Sequence, residues 1–277
     1  MRTITASIVT YNNEISEIEL LLRCILEDEI QLNLYVIDNS PTDYLRDICQ
    51  DARINYIYMN ENVGFGAAHN IAINEAIKNG SKYHFVINPD ICFDKDVLKP
   101  MVHYMDNHPD IGMMMPKILY PDGEIQYLPK LIPSPSDMIF RKMRFAGQAY
   151  ERFIKKYELR DLCEHIFSAP LLSGCFTLLR LNAIKELGGY DERFFMYFED
   201  FDLSRRIHKK YKTIYYPEVS VYHDYASGAN KNKKLFLIFV KSAIKYFNKW
   251  GWFYDKERKK LNKRAYRNNE LIYRNAV

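Results

Sequence analysis

Residues 84–96 read HFVINPDICFDKD. Tyr83 to Ile87 form an apolar run of strand length, which stops at Asn88-Pro89-Asp90, where the chain must turn. A core strand that ends in a carboxylate behind a proline has two explanations. Asn-Pro commonly opens a turn, and Asp90 then only faces water. Alternatively Asp90 belongs to a site, because open α/β sheets bind ligands at the carboxyl ends of their strands. The rest of the chain has to decide.

Outward from this stretch, strands and helices alternate. TITASIVTY (3–11) precedes a helical ISEIELLLRCILEDE (15–29), and LNLYVIDNS (32–40) precedes a short helix. INYIYMN (54–60) leads to the helix GFGAAHNIAINEAIKNG (64–80), and KDVLKPMVHYMDNH (95–108) follows the opening stretch. That order predicts an α/β fold with a mostly parallel central sheet flanked by helices. Beyond Ile111, MMMPKILYPDGEIQY (113–127) reads as two strands about a Pro121-Asp122-Gly123 turn, and 129–168 is irregular, aromatic and basic. LLSGCFTLLR (171–180) and TIYYPEVSVYHD (213–224) read as strands, LNAIKELGG (181–189) and FEDFDLSRRIHKKY (198–211) as helices. No linker divides these parts, so residues 1–230 are expected to be one domain and 231–277 an added tail.

The bulk numbers exclude several classes. A chain of 277 residues, 48% hydrophobic, can bury a large core. Its five cysteines are odd in number, scattered and never in C-x-x-C spacing, which argues against a disulfide framework or a zinc site and fits a reducing cytoplasm. No run of 18 apolar residues is present to span a bilayer, and the start MRTITASIVTYNN reads as a first strand rather than a signal peptide. The net charge of +4 conceals an asymmetry: residues 231–277 hold 14 Lys/Arg against 3 Asp/Glu, and residues 1–230 hold 25 against 32.

Three strand ends carry polar tips, Thr10-Tyr11-Asn12, Asp38-Asn39-Ser40 and Asn88-Pro89-Asp90. Parallel neighbours would put them on one sheet edge, where a nucleotide could span them. NENVGFGAAHN (60–70) adds Gly64 and Gly66 before a helix, where small residues allow a ligand close to backbone and the N-terminus favours anions. It is neither G-x-G-x-x-G nor a P-loop. In FFMYFEDFDLSRR (194–206), Glu199, Asp200 and Asp202 crowd a helix start, which is either acidic capping or a site. The aromatics before them put a carboxylate against an apolar wall, and desolvation with like-charge crowding raises its pKa toward that of a general base. His223 ends a strand; if it meets Asp90, imidazole and carboxylate together suit Mn²⁺ or a similar ion.

The ordered set SIVTYNN, VIDNS, NVGFGAAHN, VINPD, LSGCFTLLR, GGYDERFFMYFEDFDLSRRI and VYHD closely resembles family 2 glycosyltransferases of GT-A (Rossmann-like) fold, above all the bacterial rhamnosyltransferase-like branch. The resemblance covers roughly residues 3–228. It implies a nucleotide-sugar-binding half (1–117) and an acceptor and catalytic half (118–230). Thr10, Tyr11, Asn12, Asp38 and Asn39 would line the nucleotide pocket, with Gly64, Phe65, Gly66 and Asn70 beside it. Asn88-Pro89-Asp90 stands where the family carries Asp-x-Asp, so Asn88 removes one charged ligand while Asp90 binds a divalent metal, Mn²⁺ or Mg²⁺, on the donor's diphosphate. His223 matches the family's later metal-binding histidine, Asp200 the catalytic base, and Glu199 and Asp191 lie near the acceptor. The implied reaction is inverting transfer from a dTDP- or UDP-sugar, carrying rhamnose or a hexose, to a glycan or lipid-linked glycan hydroxyl in surface polysaccharide synthesis.

Two rival readings are a nucleotidyltransferase and a non-catalytic nucleotide-sugar binder. TYNNEISE (10–17) lacks the basic glycine-rich loop that grips a triphosphate, and Glu199, Asp200 and His223 together argue against a mere binder. In the tail, Lys241, Lys245 and Lys249 recur on one helical face and Phe239, Ala243, Phe247 and Trp250 on another. Such a helix either lies on an anionic membrane surface, which would make the enzyme peripheral to the inner face of the cell membrane, or packs back on the domain. Nothing else in the chain supports nucleic acid.

Overall fold

The computed structural model describes residues 4–94, 96–143, 147–224 and 232–268. Its strands are β1 (Ile4–Thr10), β2 (Asn33–Asp38), β3 (Ile54–Tyr58), β4 (Tyr83–Ile87), β5 (Ile91–Cys92), β6 (Ile111–Leu119), β7 (Phe167–Ser168), β8 (Phe176–Arg180) and β9 (Lys212–His223). They form one sheet in the order β3-β2-β1-β4-β8-β6-β9-β5, with β7 also on β9. β1, β2, β3, β4, β6 and β9 run one way, and β5, β7 and β8 run against them. The sheet is therefore mostly parallel, as the alternation predicts. Of the antiparallel strands, β7 and β8 come from the second half, where that alternation ends, and the two-residue β5 follows β4 directly.

The helices are α1 (Ile15–Leu26), α2 (Phe65–Lys78), α3 (Leu98–Asn107), α4 (Pro135–Phe140), α5 (Gln148–Tyr157), α6 (Leu181–Leu187), α7 (Glu199–Lys210), α8 (Lys233–Trp250) and α9 (Lys256–Asn268). Burial along β4 is complete, and β1 and β2 are nearly so, the pattern of strands covered on both faces. The expected hairpin at 113–127 forms only in part. One bridge, Leu119 to Ile125, closes over Gly123, and the returning segment delivers a buried Gln126.

A buried polar chain fixes β1, β4 and α2 to one another. The Thr5 hydroxyl donates to the Tyr83 carbonyl (3.2 Å) and lies 2.8 Å from His84 Nδ1, so that nitrogen carries its proton toward Thr5. His84 Nε2 is then bare and accepts from the Ser7 hydroxyl (2.7 Å), which itself accepts from His69 Nδ1 (2.7 Å). Burial lowers the pKa of His84 to about 3 and that of His69 well below the ordinary value, so both rings are neutral.

The tail is not a free appendage. Phe239, Ala243, Tyr246, Phe247 and Trp250 of α8 pack on Phe194, Phe198 and Phe201. In α9, Leu261 packs with Ile132 and Leu171, and the Asn262 amide exchanges hydrogen bonds with the Ile132 backbone at 2.9 and 3.0 Å. The expected apolar face of α8 is thus an internal one. Lys249, expected among its solvated lysines, instead bridges Asp191 (2.7 Å) and Asp202 (2.6 Å), and Lys245 donates to the Arg193 carbonyl. The boundary expected at 230/231 lies outside the described residues.

Candidate active site

The carboxyl ends of β1, β2 and β4 share one sheet edge, since their registers place Thr10 opposite Asp38 and Ile8 opposite Ile87. Asp38 is fully buried and accepts from the Thr10 hydroxyl (3.1 Å), the Ser40 backbone N–H (3.0 Å) and the Tyr56 hydroxyl (2.7 Å). It ties the strand ends together, and the exposed Tyr11 and Asn12 stand outside it. Asn12 takes a left-handed φ of 54° and its N–H donates to the Ser40 hydroxyl (2.9 Å), which holds the β1 loop open. Asn39 is buried beside Gly64, with its side-chain oxygen unpaired.

Gly64 has φ 90°, and a Cβ there would collide with the Phe195 carbonyl oxygen. That oxygen accepts from the Phe65 N–H at 2.8 Å, so the start of α2 is locked to the loop before α7. A Cβ on Gly66 would lie 2.8 Å from Tyr190 Cβ. Asn70, expected beside the nucleotide, is turned to the same loop. Its amide donates to the Tyr190 carbonyl (2.9 Å) and Glu192 (3.0 Å) and accepts from the Tyr190 N–H (2.8 Å), which leaves it a positioning task.

Asp90 and His223 do meet. β5 pairs Ile91 with His223, the Asp224 N–H donates to the Asp90 carbonyl (3.0 Å), and His223 Nε2 comes to 3.2 Å from Asp90 Oδ1. Gln126 settles the tautomer. Its amide nitrogen donates to the His223 carbonyl (2.7 Å), so its oxygen faces His223 Nδ1 (3.0 Å) and takes that proton. His223 Nε2 is therefore the ring nitrogen that faces the Asp90 carboxylate, a nitrogen–carboxylate pair of the kind that holds a shared cation. The pair fits a divalent ion. Among the described residues there is no group of three or more His, Cys, Asp or Glu able to hold a metal, so protein would supply only part of a coordination shell, as Mg²⁺-type phosphate sites have it. Asn88 sits at the same edge, its N–H on the Cys175 carbonyl (2.8 Å) and its side-chain oxygen buried without a partner.

The carboxylate pair opens α7 from a strained entry. Tyr197 and Phe198 both have φ 68°, the left-handed region that bulky residues avoid, at a cost on the order of 1–3 kcal/mol each. Their rings are held against α8, at 5.7 Å for Tyr197–Phe239 and 5.3 Å for Phe198–Tyr246, so the tail's packing supports the conformation. The kink presents Glu199 and Asp200 together. Asp200 accepts from the N–H groups of Phe201 (2.8 Å) and Gly174 (3.2 Å). Burial raises its pKa against those donors. Burial and the neighbouring Asp200 charge push Glu199 well above the carboxylate range, and the two carboxyls titrate as one pair.

Asp191, expected near the acceptor, is occupied otherwise. Arg193 grips it at 2.6 and 2.8 Å and Lys249 at 2.7 Å, and this pairing holds its pKa far below the usual value. It anchors α8 to the loop before α7.

Sequence reasoning missed four contributors: Gln126, Gly174, Lys130 and Arg141. Lys130 exchanges backbone hydrogen bonds with Leu171 (3.0 and 3.1 Å), three residues before Gly174. Burial, with Arg141 nearby, lowers its pKa to about 8, while Glu158 and Asp200 oppose that shift. Arg141 lies over the Tyr157 ring at 5.3 Å. Both cations come from the irregular basic stretch, where no local pattern marks a site.

Polar strand ends on one sheet edge, an aspartate–histidine pair and a strained carboxylate helix stand on a sheet of GT-A-like architecture, the fold of a glycosyltransferase. The chain belongs to glycosyl transferase family 2, whose profile matches residues 5–188. It is similar to the N-acetylglucosaminyl-diphospho-decaprenol L-rhamnosyltransferase of Mycobacterium tuberculosis, 25% identical over 224 residues, 75% of this chain and 71% of the relative. It is also similar to the rhamnosyltransferase WbbL of Escherichia coli K12, 27% identical over 253 residues, 86% of this chain and 90% of the relative. Among solved structures, GalNAc-T7 with UDP, GalNAc and Mn²⁺ matches with a TM-score of 0.65 at 15% identity, over 90% of this chain and 48% of its own. The chain thus spans about half of that structure, and the likeness is one of fold. The family match ends before Glu199, Asp200 and His223.

Proposed function

We propose that this glycosyltransferase moves a sugar, rhamnose or a hexose, from a dTDP- or UDP-linked donor to a hydroxyl of a lipid-linked glycan, inverting the anomeric centre. Asp200 is the observation that carries the reading: a half-buried carboxylate, fixed by two backbone N–H groups beside the buried Glu199. It takes the acceptor hydroxyl's proton as the oxygen attacks the face opposite the leaving diphosphate, the geometry that inverting glycosidases use. Burial raises Glu199 toward its neutral form, in which it would spare Asp200 a second adjacent charge. Asp90 and His223 would hold Mn²⁺ or Mg²⁺, which when bound neutralises charge on the leaving diphosphate. Support for a metal comes from His223 Nε2 and Asp90 Oδ1 facing each other at 3.2 Å, and the likeness to a structure holding UDP and Mn²⁺ agrees with it. The acceptor reading draws on the diphospho-decaprenol substrate that the mycobacterial relative's name prints, and on Lys130 near Asp200 with Arg141 near Lys130, two cations suited to phosphoryl oxygens. An enzyme with such an acceptor would work on the inner face of the cell membrane.

A donor panel tests this. Incubation with UDP-, dTDP- and GDP-sugars, Mn²⁺ and a short-chain lipid-diphosphate glycan should release one nucleoside diphosphate and yield a product of opposite anomeric configuration by NMR. Retained configuration would remove the single-displacement mechanism, and no release from any donor would remove the proposal.

A further inference from the structure

Helix α8 has a second apolar stripe, and nothing in the described protein covers it. Its inward stripe, Phe239, Ala243, Tyr246 and Trp250, is spent on the domain. Lys233, Phe236, Leu237, Val240, Lys241 and Ile244 recur at i, i+3, i+4, i+7, i+8 and i+11, which places them on one different face. Phe236, Leu237 and Ile244 are 47%, 59% and 44% exposed. Asn248 continues this face, and its side-chain oxygen accepts from the Trp252 indole N–H (2.7 Å), which brings the turn after α8 to the end of the stripe. In that turn Phe253 and Tyr254 are 93% and 73% exposed. Single exposed apolar residues are ordinary, but a continuous stripe ending in two bare aromatics marks a docking surface.

The charges around the stripe identify the occupant. Lys233, Lys234 and Lys241 of α8, and Lys256 over the Tyr254 ring, are exposed and have no carboxylate partner among the described residues. Apolar residues flanked by unpaired lysines, with aromatics at one end, match an anionic lipid surface, where rings enter the headgroup boundary and ammonium groups meet phosphate. No described helix is long and apolar enough to cross a membrane, which agrees with a surface that lies on one. We infer that the outer face of α8, with Phe253 and Tyr254, seats this protein on an anionic bilayer, α8 parallel to the membrane plane and its inner face still packed on the catalytic domain.

The geometry couples docking to the site. The same helix holds Tyr197 and Phe198 in their left-handed conformation and grips Asp191 and Asp202 through Lys249, so a seated α8 fixes the active site's orientation to the membrane. The inference stands apart from the donor and acceptor reading, because lipid binding requires no turnover.

Vesicle co-sedimentation with the full chain tests it. The wild-type protein should pellet with phosphatidylcholine vesicles containing phosphatidylglycerol, and far less with phosphatidylcholine alone or at high salt. Because their side chains are exposed, Phe253→Ser with Tyr254→Ser, and separately Phe236→Ser with Leu237→Ser, should leave the melting temperature unchanged and weaken partitioning about tenfold or more. Retention of the wild-type protein in the supernatant at low salt overturns the inference. So does equal pelleting of wild type and both variants. A wild-type dimer in sedimentation velocity that the Phe253/Tyr254 variant dissociates also overturns it, and assigns the face to a second copy of this chain.

Discussion

Lys249→Met should destabilise the enzyme although it lies in a segment whose sequence looks like a solvated basic tail. The Lys249 ammonium sits 2.6 Å from Asp202, which is fully buried, and 2.7 Å from Asp191. Stripping one partner from a buried ion pair costs about 3–5 kcal/mol when the other charge is left alone. Here Asp202 keeps Arg206 (2.8 Å) and the Trp250 indole N–H (2.8 Å), and Asp191 keeps Arg193, so about half of that penalty, roughly 2 kcal/mol, is expected. For a chain of this size such a loss lowers the melting temperature by about 4–8 °C. Calorimetry of wild type, Lys249→Met, Asp202→Asn and the double variant supplies the cycle, and the two changes should couple by about 1 kcal/mol or more. A Lys249→Met melting temperature within about 1 °C of wild type, or strict additivity in the cycle, would refute the reasoning.

Three further expectations follow from the buried groups. His69 and His84 are held neutral in the fold but protonate in the unfolded chain near pH 6.5, so their stabilisation is complete above that pH and is lost as the pH falls toward 3. Denaturation at pH 6.5 and 5.5 should show a loss of about 1 kcal/mol per histidine, and a flat profile would contradict the neutral chain. Gln126→Leu removes the group that fixes the His223 tautomer and should weaken Mn²⁺-dependent UDP or dTDP binding about 10–100-fold by calorimetry, with metal-free binding unchanged. Lys130→Met should raise the acceptor KM about tenfold with the donor KM unchanged, and should abolish a fall in activity above about pH 8, where the wild-type ammonium deprotonates. A donor KM that rises instead would place Lys130 on the nucleotide side.

How far the fold was legible differs between the two halves of the chain. β1 to β4 with α1 to α3 follow from periodicity, because each element announces itself locally and the parallel order follows from alternation. The polar strand ends were readable for the same reason, since parallel neighbours put their ends on one edge, whereas Asp90 reaches His223 through the two-residue antiparallel β5, which has no pattern of its own. Asp38, Asn70 and Asp191 stand out in the sequence, but their partners Tyr56, Tyr190 and Lys249 lie far away along it, and only those partners decide whether a carboxylate or amide is free for a ligand. In α8 the apolar face Phe239, Ala243, Phe247 and Trp250 was legible, and of its two expected settings the structure shows packing on the domain. A helix with apolar residues on two sides gives one amphipathic pattern in sequence, and which side faces the domain depends on Phe194 and Phe198. The left-handed Tyr197-Phe198 entry had no local signal at all, because bulky residues enter that region only under tertiary constraint.

The central claim is that Asp200 is the base of a glycosyl transfer. Turnover of the donor and acceptor pair found by the panel, measured side by side for wild type and Asp200→Asn together with nucleotide affinity, tests it most directly. The amide keeps the shape and can still accept from the Gly174 and Phe201 N–H groups, but it cannot take a proton. The account predicts a kcat lower by about 10²–10⁴-fold with nucleotide affinity unchanged. A near-normal kcat in the variant would contradict it.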